Sequence, residues 1–306
     1  MTILLENLIF NSCPFPADIR KMSRNIFKKY VLTSLLVIVL STALLYGRVS
    51  VPFDPSRGLV EVEVTIDGRI NGRFGIDTGA DHLYVDKTFA DKNRLVYYDE
   101  MDNRQIVGVA GRATGNYASL RSLAIGDERL YNLRAIVTDL ATLAGPSAGA
   151  PPDGLIGFDV IRRFYVTVDY PNNRLELNQG EPALIRDHDY ISIPFRESGH
   201  LILVKVTFDD DISAVMLLDF CASYSTVSNH LAGRLGLRQH TRDIQTLSEI
   251  SLGSGVTGRD VRVIAMDVAQ GPGNDHGAYE GIIGASLLYR YKITIDYKRH
   301  RVLIHN

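Results

Sequence analysis

Two aspartates, Asp77 and Asp219, occupy equivalent positions in two copies of one sequence unit. The first copy reads Phe-Gly-Ile-Asp-Thr-Gly-Ala-Asp over residues 74–81, and the second reads Met-Leu-Leu-Asp-Phe-Cys-Ala-Ser over residues 216–223. The two copies align without a gap from residues 59–95 to residues 201–237. A chain that duplicates a unit and keeps one acid at the same point can bring two carboxylates together on a pseudo-twofold axis. Carboxylates placed in this way can act as the general acid and the general base of a hydrolysis.

A second repeated block closes each copy. Asp-Gly-Leu-Ile-Gly at residues 153–157 returns as Glu-Gly-Ile-Ile-Gly at residues 280–284. Alternating apolar and polar residues at 60–64 predict a half-buried strand, and Asp67-Gly68 predicts a tight turn after it. Short helices are expected after each acid, over residues 87–95 and 230–237. The sequence therefore predicts an all-β protein with two pseudo-symmetric, closed, β-barrel-like lobes and short helices.

Together, the Asp-Thr-Gly-Ala-Asp motif at 77–81, a glycine-rich hairpin and the Asp-Gly-Leu-Ile-Gly block resemble the aspartic peptidases. The signature of the single lobe is similar to the retropepsin-like branch, and the two-lobe layout is similar to the pepsin-like enzymes. The resemblance covers nearly the whole chain after Gly58. It implies the acid-protease fold and an endopeptidase that hydrolyses polypeptides with no cofactor and no metal.

The resemblance also implies roles for individual residues. Asp77 and Asp219 would be the catalytic dyad, and they would share one proton because like charges about 3 Å apart cannot both ionise. A hairpin in lobe 1 would be the flap that closes over the substrate. The supporting loop residues are Thr78, Gly79, Ala80 and Ala222, and the flap candidates are Gly108, Val109, Ala110 and Gly111.

The second copy departs from the family motif, with Phe220 in place of threonine and Cys221 in place of glycine. Phenylalanine has no hydroxyl, so at most half of the family's cross-loop interlock is expected. Cys221 is interpreted as a small buried filler, and a thiol that crowds the catalytic water is the alternative. Ala80 and Ala222 stand where pepsin-like lobes carry a hydroxyl that bonds the carboxylate. Its absence predicts raised carboxyl pKa values and a mildly acidic optimum.

Composition excludes several other classes of function. The chain has 306 residues, of which 45% are hydrophobic and 22% charged, as expected for a folded body. A formal net charge of −2 without a clustered basic face argues against nucleic-acid binding. Cys13 and Cys221 form no metal-binding pattern, and no disulfide between them is expected. His188 and His276 are interpreted as solvated loop residues rather than as metal ligands.

The N-terminal segment contains an uncharged apolar run at residues 30–47, preceded by Lys28 and Lys29. The run is close to the length of about 20 residues that a membrane-spanning helix needs. It predicts a transmembrane signal-anchor at 30–47, a cytoplasmic tail at 1–29 and an extracytoplasmic body, periplasmic if the source is bacterial. A cleaved signal and a secreted body are the alternative, and Met22 is a second possible start.

The expected organisation after the anchor is lobe 1 at residues 48–180 and lobe 2 at residues 181–306. The leading hypothesis is a membrane-anchored aspartic endopeptidase that binds a polypeptide substrate and no nucleic acid. One alternative is a peptide-binding protein without catalysis, whose second site is degenerate. Another is a homodimer in which two copies of lobe 1 pair through Asp77, as single-lobe retropepsins do.

Overall fold

The structure is a computed structural model. It describes residues 48–98, 105–108, 111–144, 149–186, 189–209, 211–253, 255–268 and 277–305. The described residues form one compact unit. The predicted anchor at 30–47 and the tail before it lie outside the described residues. Within the described residues, no helix is long and apolar enough to cross a membrane.

The part of the first half that the structure describes is built mostly of strands, with four short helices. The strands in chain order are β1 (Arg48–Pro52), β2 (Glu61–Ile66), β3 (Ile70–Ile76), β4 (Leu83–Asp86), β5 (Tyr97–Tyr98), β6 (Ile106–Val107), β7 (Arg112–Ala113), β8 (Gly115–Ile125), β9 (Glu128–Thr138), β10 (Gly154–Ile156), β11 (Tyr165–Asp169) and β12 (Arg174–Asn178). The helices are α1 (Lys87–Lys92), α2 (Leu140–Ala144), α3 (Phe158–Ile161) and α4 (Ala183–Arg186).

The second half repeats this composition. Its strands are β13 (Tyr190–Pro194), β14 (Arg196–Ser198), β15 (Leu201–Phe208), β16 (Ile212–Leu218), β17 (Ser225–Ser228), β18 (Ile244–Leu252), β19 (Val256–Met266), β20 (Gly281–Ile283), β21 (Lys292–Asp296) and β22 (Arg301–His305). Its helices are α5 (Asn229–Arg234) and α6 (Ala285–Leu288), and a 3₁₀ turn spans Tyr297–Arg299.

Each half closes a six-stranded barrel. In lobe 1 the strand order is β2-β3-β10-β4-β9-β8, and β8 returns to pair with β2. In lobe 2 the order is β15-β16-β20-β17-β19-β18, and β18 returns to β15. The two orders are equivalent strand by strand. The prediction of an all-β fold with two closed, pseudo-symmetric lobes is confirmed.

Local signals in the sequence explain several of these boundaries. Asp67 and Gly68 both adopt positive φ, of 52° and 69°, which is the backbone that a tight hairpin turn between β2 and β3 requires. Asp86 accepts a hydrogen bond from the Phe89 amide and thereby caps α1. Ser228, at the equivalent position of lobe 2, caps α5 through the Leu231 amide. Both helices are shorter than the predicted ranges.

A third sheet is shared by the two lobes, and the sequence did not predict it. Its six strands run in the order β1-β12-β11-β21-β22-β13, so the closing strands of the two lobes pair with each other. At the centre, β11 pairs with β21, and Thr167 lies opposite Thr294. The sheet joins the two barrels and so determines how their Asp-bearing loops face one another.

Candidate active site

Each aspartate of the repeat follows the strand that leads into the centre of its lobe. The Asp77 amide donates to the Ile156 carbonyl at 3.1 Å, and the Asp219 amide donates to the Ile283 carbonyl at 2.9 Å. The returning strands β10 and β20 therefore hold the two loops in the same way. Gly157 and Gly284 directly follow these strands, and a side chain at either position would overlap backbone of the neighbouring loop.

The two carboxylates both lie close to one glycine, Gly79. Asp77 Oδ1 accepts the Gly79 amide at 2.8 Å, and Asp219 Oδ1 accepts the equivalent Cys221 amide at 2.7 Å. A Cβ placed on Gly79 would be 3.3 Å from Asp77 Oδ1 and 3.5 Å from Asp219 Oδ2. The fold thus brings together two acids that are far apart in the sequence, and a side chain at position 79 would crowd both of them.

One hydroxyl connects the two loops. Thr78 is fully buried and donates through Oγ1 to the Leu218 carbonyl at 2.7 Å. The same oxygen accepts the Phe220 amide at 3.3 Å. Position 220 supplies no hydroxyl in return, so half of the symmetric interlock is present, as the substitution predicts.

Phe220 and Cys221 are accommodated in different ways. The Phe220 ring is fully buried and meets Tyr170 edge to face, with ring centroids 6.4 Å apart, so it packs behind the loop. Cys221 is half-buried and lines the cleft in which the carboxylates lie. Its sulfur occupies the space beside Gly75, where an added Cβ would be 2.9 Å from Sγ. Burial raises the pKa of the Cys221 thiol well above its usual range, so the group stays neutral.

Burial and proximity raise the pKa of both carboxyl groups. Burial raises the pKa of Asp77 to about 6, against the opposing effect of hydrogen bonds from the amides of Gly79 and Ala80. The pKa of Asp219 is raised well above its ordinary value, first by burial and then by the negative charge of Asp77. Only the Cys221 amide opposes that shift. Burial and the repulsion between the two charges therefore favour a pair that holds one proton between its two carboxyl groups.

The carboxylates lie in a cleft of about 970 Å³ that is lined by both lobes. On the lobe-1 side the wall is an apolar cluster that includes Tyr84, Ile136, Leu140 and Leu143. On the lobe-2 side the apolar lining residues are Leu217, Ile264, Met266 and Ile282. A cleft of this size, apolar on both walls with a few polar groups in its lining, has the character of a ligand-binding site.

Gly108 and Gly111 are the two flap candidates that the structure describes. Strands β6 and β7 form a two-stranded hairpin, and the Gly108 amide donates to the Gly111 carbonyl at 2.8 Å. Gly108 lines the cleft together with Ile106 and Val107. Val109 and Ala110, the tip of the predicted flap, lie outside the described residues.

Several cleft residues were not singled out from the sequence. His200 Nε2 lies 2.9 Å from the Gly79 carbonyl and so links lobe 2 to the Asp77 loop. The Tyr84 hydroxyl donates to Asp81 at 2.6 Å. Gly149, Pro151 and Pro152 belong to the loop between α2 and β10, and they also line the cleft. Tyr84 and Thr226 stand at equivalent positions of the two sequence copies, and both line the cleft. The sequence repeat is therefore the signal that relates Tyr84 to the site.

Comparison with known proteins agrees with this geometry. Residues 62–160 match the family model described as aspartyl protease, which covers most of the lobe-1 barrel and the Asp77 loop. No curated protein matches the chain. The match covers about a third of the chain, and together with the two closed six-stranded barrels it supports an aspartic peptidase with duplicated retropepsin-like lobes.

Proposed function

We propose that the protein is an aspartic endopeptidase in which Asp77 and Asp219 activate a water molecule at the lobe interface. The observation that carries the proposal is the placement of both carboxylates against Gly79 in the lining of one cleft. Two acids held in this way, with pKa values shifted upward together, can be ionised one at a time. That is the state that general acid–base hydrolysis requires.

The reaction follows from the unequal surroundings of the pair. Asp77, stabilised as an anion by two amides, takes a proton from water while the water oxygen attacks the peptide carbonyl carbon. Asp219 gives its proton to the carbonyl oxygen, and a tetrahedral diol results. The proton now on Asp77 passes to the amide nitrogen as the C–N bond breaks. One hydroxyl proton of the diol returns to Asp219, and the free acid and amine leave.

The contacts of Thr78 favour this internal pair over the homodimer alternative. Its hydroxyl binds Leu218 and Phe220 of the same chain, so the Asp219 loop occupies the place that a second Asp77 loop would need. The peptide-binding alternative uses the same cleft but requires no proton transfer. Activity measurements separate these possibilities.

The test is cleavage of an unfolded protein by the purified full chain, with and without a pepstatin-type inhibitor. We expect cleavage that is lost in both Asp77→Asn and Asp219→Asn and retained in Asp127→Asn, an exposed turn residue that serves as the control. Loss in Asp77→Asn alone would support the homodimer. Binding of peptides without any cleavage would support the binding protein.

We further propose, from the sequence alone, that residues 30–47 anchor the protein and that the two lobes lie outside the cytoplasm. The basis is the uncharged apolar run and the lysines that precede it. Membrane fractionation followed by protease treatment of intact cells tests the proposal. Recovery of the body in the soluble extracellular fraction would instead indicate cleavage of the segment.

A further inference from the structure

Each lobe carries one arginine at the same register position beside the cleft. In lobe 1, Tyr84 of β4 pairs with Ile136 of β9, and in lobe 2 the equivalent Thr226 of β17 pairs with Ile264 of β19. Ile136 and Ile264 both line the cleft. Arg134 and Arg262 each precede their isoleucine by two residues, so the two arginines are related by the pseudo-twofold axis of the repeat.

Both arginines project on the cleft side of their strands. Residues two apart on a strand point to the same face and are separated by about 7 Å along it. Arg134 therefore lies on the face of Ile136, one step beyond the cleft lining, and Arg262 lies on the face of Ile264. Both are exposed to solvent.

Each guanidinium is held on an aromatic ring that belongs to the cleft. The Arg134 guanidinium carbon is 3.5 Å from the ring centroid of Tyr117, and that of Arg262 is 5.3 Å from the centroid of Tyr224. Tyr117 and Tyr224 both line the cleft. Stacking on a ring leaves the edge of the guanidinium, with its hydrogen-bond donors, directed outward. It also reduces the rotamer entropy that the side chain loses when it binds an anion.

Neither arginine has a carboxylate partner among the described residues. Some other exposed arginines of the body do have one: Arg259 pairs with Glu249 at 3.1 Å, and Arg238 pairs with Asp243 at 2.9 Å. A single exposed arginine of this kind could simply be a solvated surface residue with no further role. That interpretation does not explain why both lobes keep an arginine without a carboxylate partner, stacked on a cleft tyrosine, at the same register position.

A groove extends the cleft on the lobe-1 side. It is lined by Tyr98, Ser119, Arg121 and Asn132, together with Arg134 and Tyr117. Tyr117 belongs to the lining of both the groove and the cleft. A polypeptide that leaves the cleft in this direction would therefore pass the Arg134 guanidinium.

We propose that Arg134 and Arg262 are specificity-determining residues that bind acidic side chains of the polypeptide on the two sides of its apolar, cleft-bound segment. The substrate class is then a polypeptide with an apolar core flanked by Asp or Glu. The inference rests on the proposed function of the cleft, and it adds the charge pattern of the ligand. Carboxylates are the group that a guanidinium binds most specifically in a peptide.

The test measures binding to the full chain carrying Asp77→Asn, which removes turnover. The probes are three fluorescent peptides with the same apolar core, flanked on both sides by Glu, Gln or Lys. We expect the Glu-flanked peptide to bind about tenfold more tightly than the Gln-flanked peptide, since an exposed pair contributes about threefold per arginine. The preference should decline as salt is added, because the arginines are exposed.

The variants Arg134→Gln and Arg262→Gln should each lose about threefold of this preference, and the double variant should lose all of it. The matched control is Arg129→Gln with Lys205→Gln, two exposed residues that change the net charge equally. It should keep the preference. Arg134→Glu with Arg262→Glu should invert the preference toward the Lys-flanked peptide, which also shows that the variant chain is folded.

Equal binding of the three peptides would overturn the inference and leave the proposed function standing. The inference is likewise overturned if the control loses the preference as fully as the arginine variants do. If none of the peptides binds, the proposed function of the cleft fails and the inference fails with it.

Discussion

At the scale of single residues, the two carboxyl groups differ in how strongly their charge is supported. Asp77 receives two backbone amides, whereas Asp219 receives one and also faces the charge of Asp77. A duplicated motif can therefore assign unequal roles to equal residues. The difference arises from the loop backbone, because neither acid has a hydroxyl three residues later.

The first prediction concerns the pH dependence of cleavage. Because burial raises the pKa of Asp77 to about 6, the acidic limb of kcat/KM should have its midpoint near that pH. The alkaline limb should follow loss of the proton that the pair retains, which burial and the negative charge of Asp77 oppose. The sequence predicted the same direction from the missing hydroxyls at Ala80 and Ala222, but burial is the larger cause. A profile measured from about pH 3 to pH 9 that peaks at its acidic end would contradict the prediction.

The second prediction concerns stability. A carboxyl group whose pKa is raised by folding stabilises the protein fully below its unfolded pKa, and this contribution is lost as the pH rises through the folded pKa. Asp219→Asn removes the ionisable group, and with it the loss of stability at high pH. The oxygen of the asparagine side chain can still accept a hydrogen bond from the Cys221 backbone amide. We expect the variant to be more stable than the native chain at pH 8, and the gain should shrink toward pH 4.

Urea unfolding at the two pH values provides the measurement. Asp127→Asn should change the free energy of unfolding equally little at both, because Asp127 is exposed. A gain from Asp219→Asn that did not depend on pH would show that ionisation is not its cause.

The third prediction concerns the hydroxyl of Thr78. Thr78→Val leaves the Leu218 carbonyl and the Phe220 amide buried without a partner, and we expect a loss of about 2 to 4 kcal/mol in the free energy of unfolding. Thr226→Val is the matched control, since the buried Thr226 Oγ1 has no hydrogen-bond partner among the described residues. Thermal unfolding of both variants provides the measurement. If Thr78→Val and Thr226→Val lower the stability equally, the Thr78 hydroxyl does not stabilise the contact between the two loops.

At the scale of elements, the loops are shaped by small residues in the strands that face them. Cys221 stands where lobe 1 has Gly79, and its sulfur lies beside Gly75 of β3. The position equivalent to Gly75 in lobe 2 is Leu217. The larger residue at 221 is therefore matched by a glycine across the interface, which explains how lobe 2 tolerates the loss of its own glycine.

The fourth prediction tests this match. Gly75→Ala should destabilise the chain by about 1 to 3 kcal/mol, because the new methyl group would lie 2.9 Å from Cys221 Sγ and 3.2 Å from a Leu155 methyl carbon. Adding Cys221→Gly should recover part of that loss, but only part, since Leu155 remains. A double-mutant cycle in urea measures the coupling. Strictly additive effects would show that the two residues do not compensate each other.

Much at this scale could be predicted from the sequence. The repeat located both acids, both closing strands and the helices that follow, because each depends on local motifs. The burial of Glu61 could not be predicted, since alternation along β2 places it on the polar face. In the structure it is 4% exposed and pairs with Arg57 at 2.8 Å. That contact needs the chain before β2 to fold back, and strand periodicity does not specify such a return.

At the scale of the whole molecule, the shared six-stranded sheet makes two barrels into one body. Its strands come from four separated stretches of sequence, so its order depends on long-range pairing that local patterns do not encode. The consequence for the site is direct. The two Asp loops meet because the closing strands of the lobes pair at the pseudo-twofold axis, and disturbance of that pairing should reach both loops.

The last prediction concerns the two threonines at the centre of this sheet. Thr167 and Thr294 are both fully buried, and their hydroxyl oxygens are 2.7 Å apart. Thr294 Oγ1 also lies 2.8 Å from His305 Nε2, whereas Thr294 is the only hydrogen-bond partner of the Thr167 hydroxyl among the described residues. Thr294→Val therefore leaves both Thr167 and His305 without this partner, and Thr167→Val leaves Thr294 still bonded.

We expect Thr294→Val to lower the free energy of unfolding by about 1 to 3 kcal/mol and Thr167→Val to lower it less. Because the sheet is common to both lobes, the loss should appear as an earlier single transition rather than as separate unfolding of one barrel. Thermal unfolding followed by circular dichroism, together with residual cleavage activity at each temperature, measures both effects. If activity persisted after half of the structure had melted, the paired acids would not depend on the shared sheet, and the assembly of the site across the pseudo-twofold axis would be wrong.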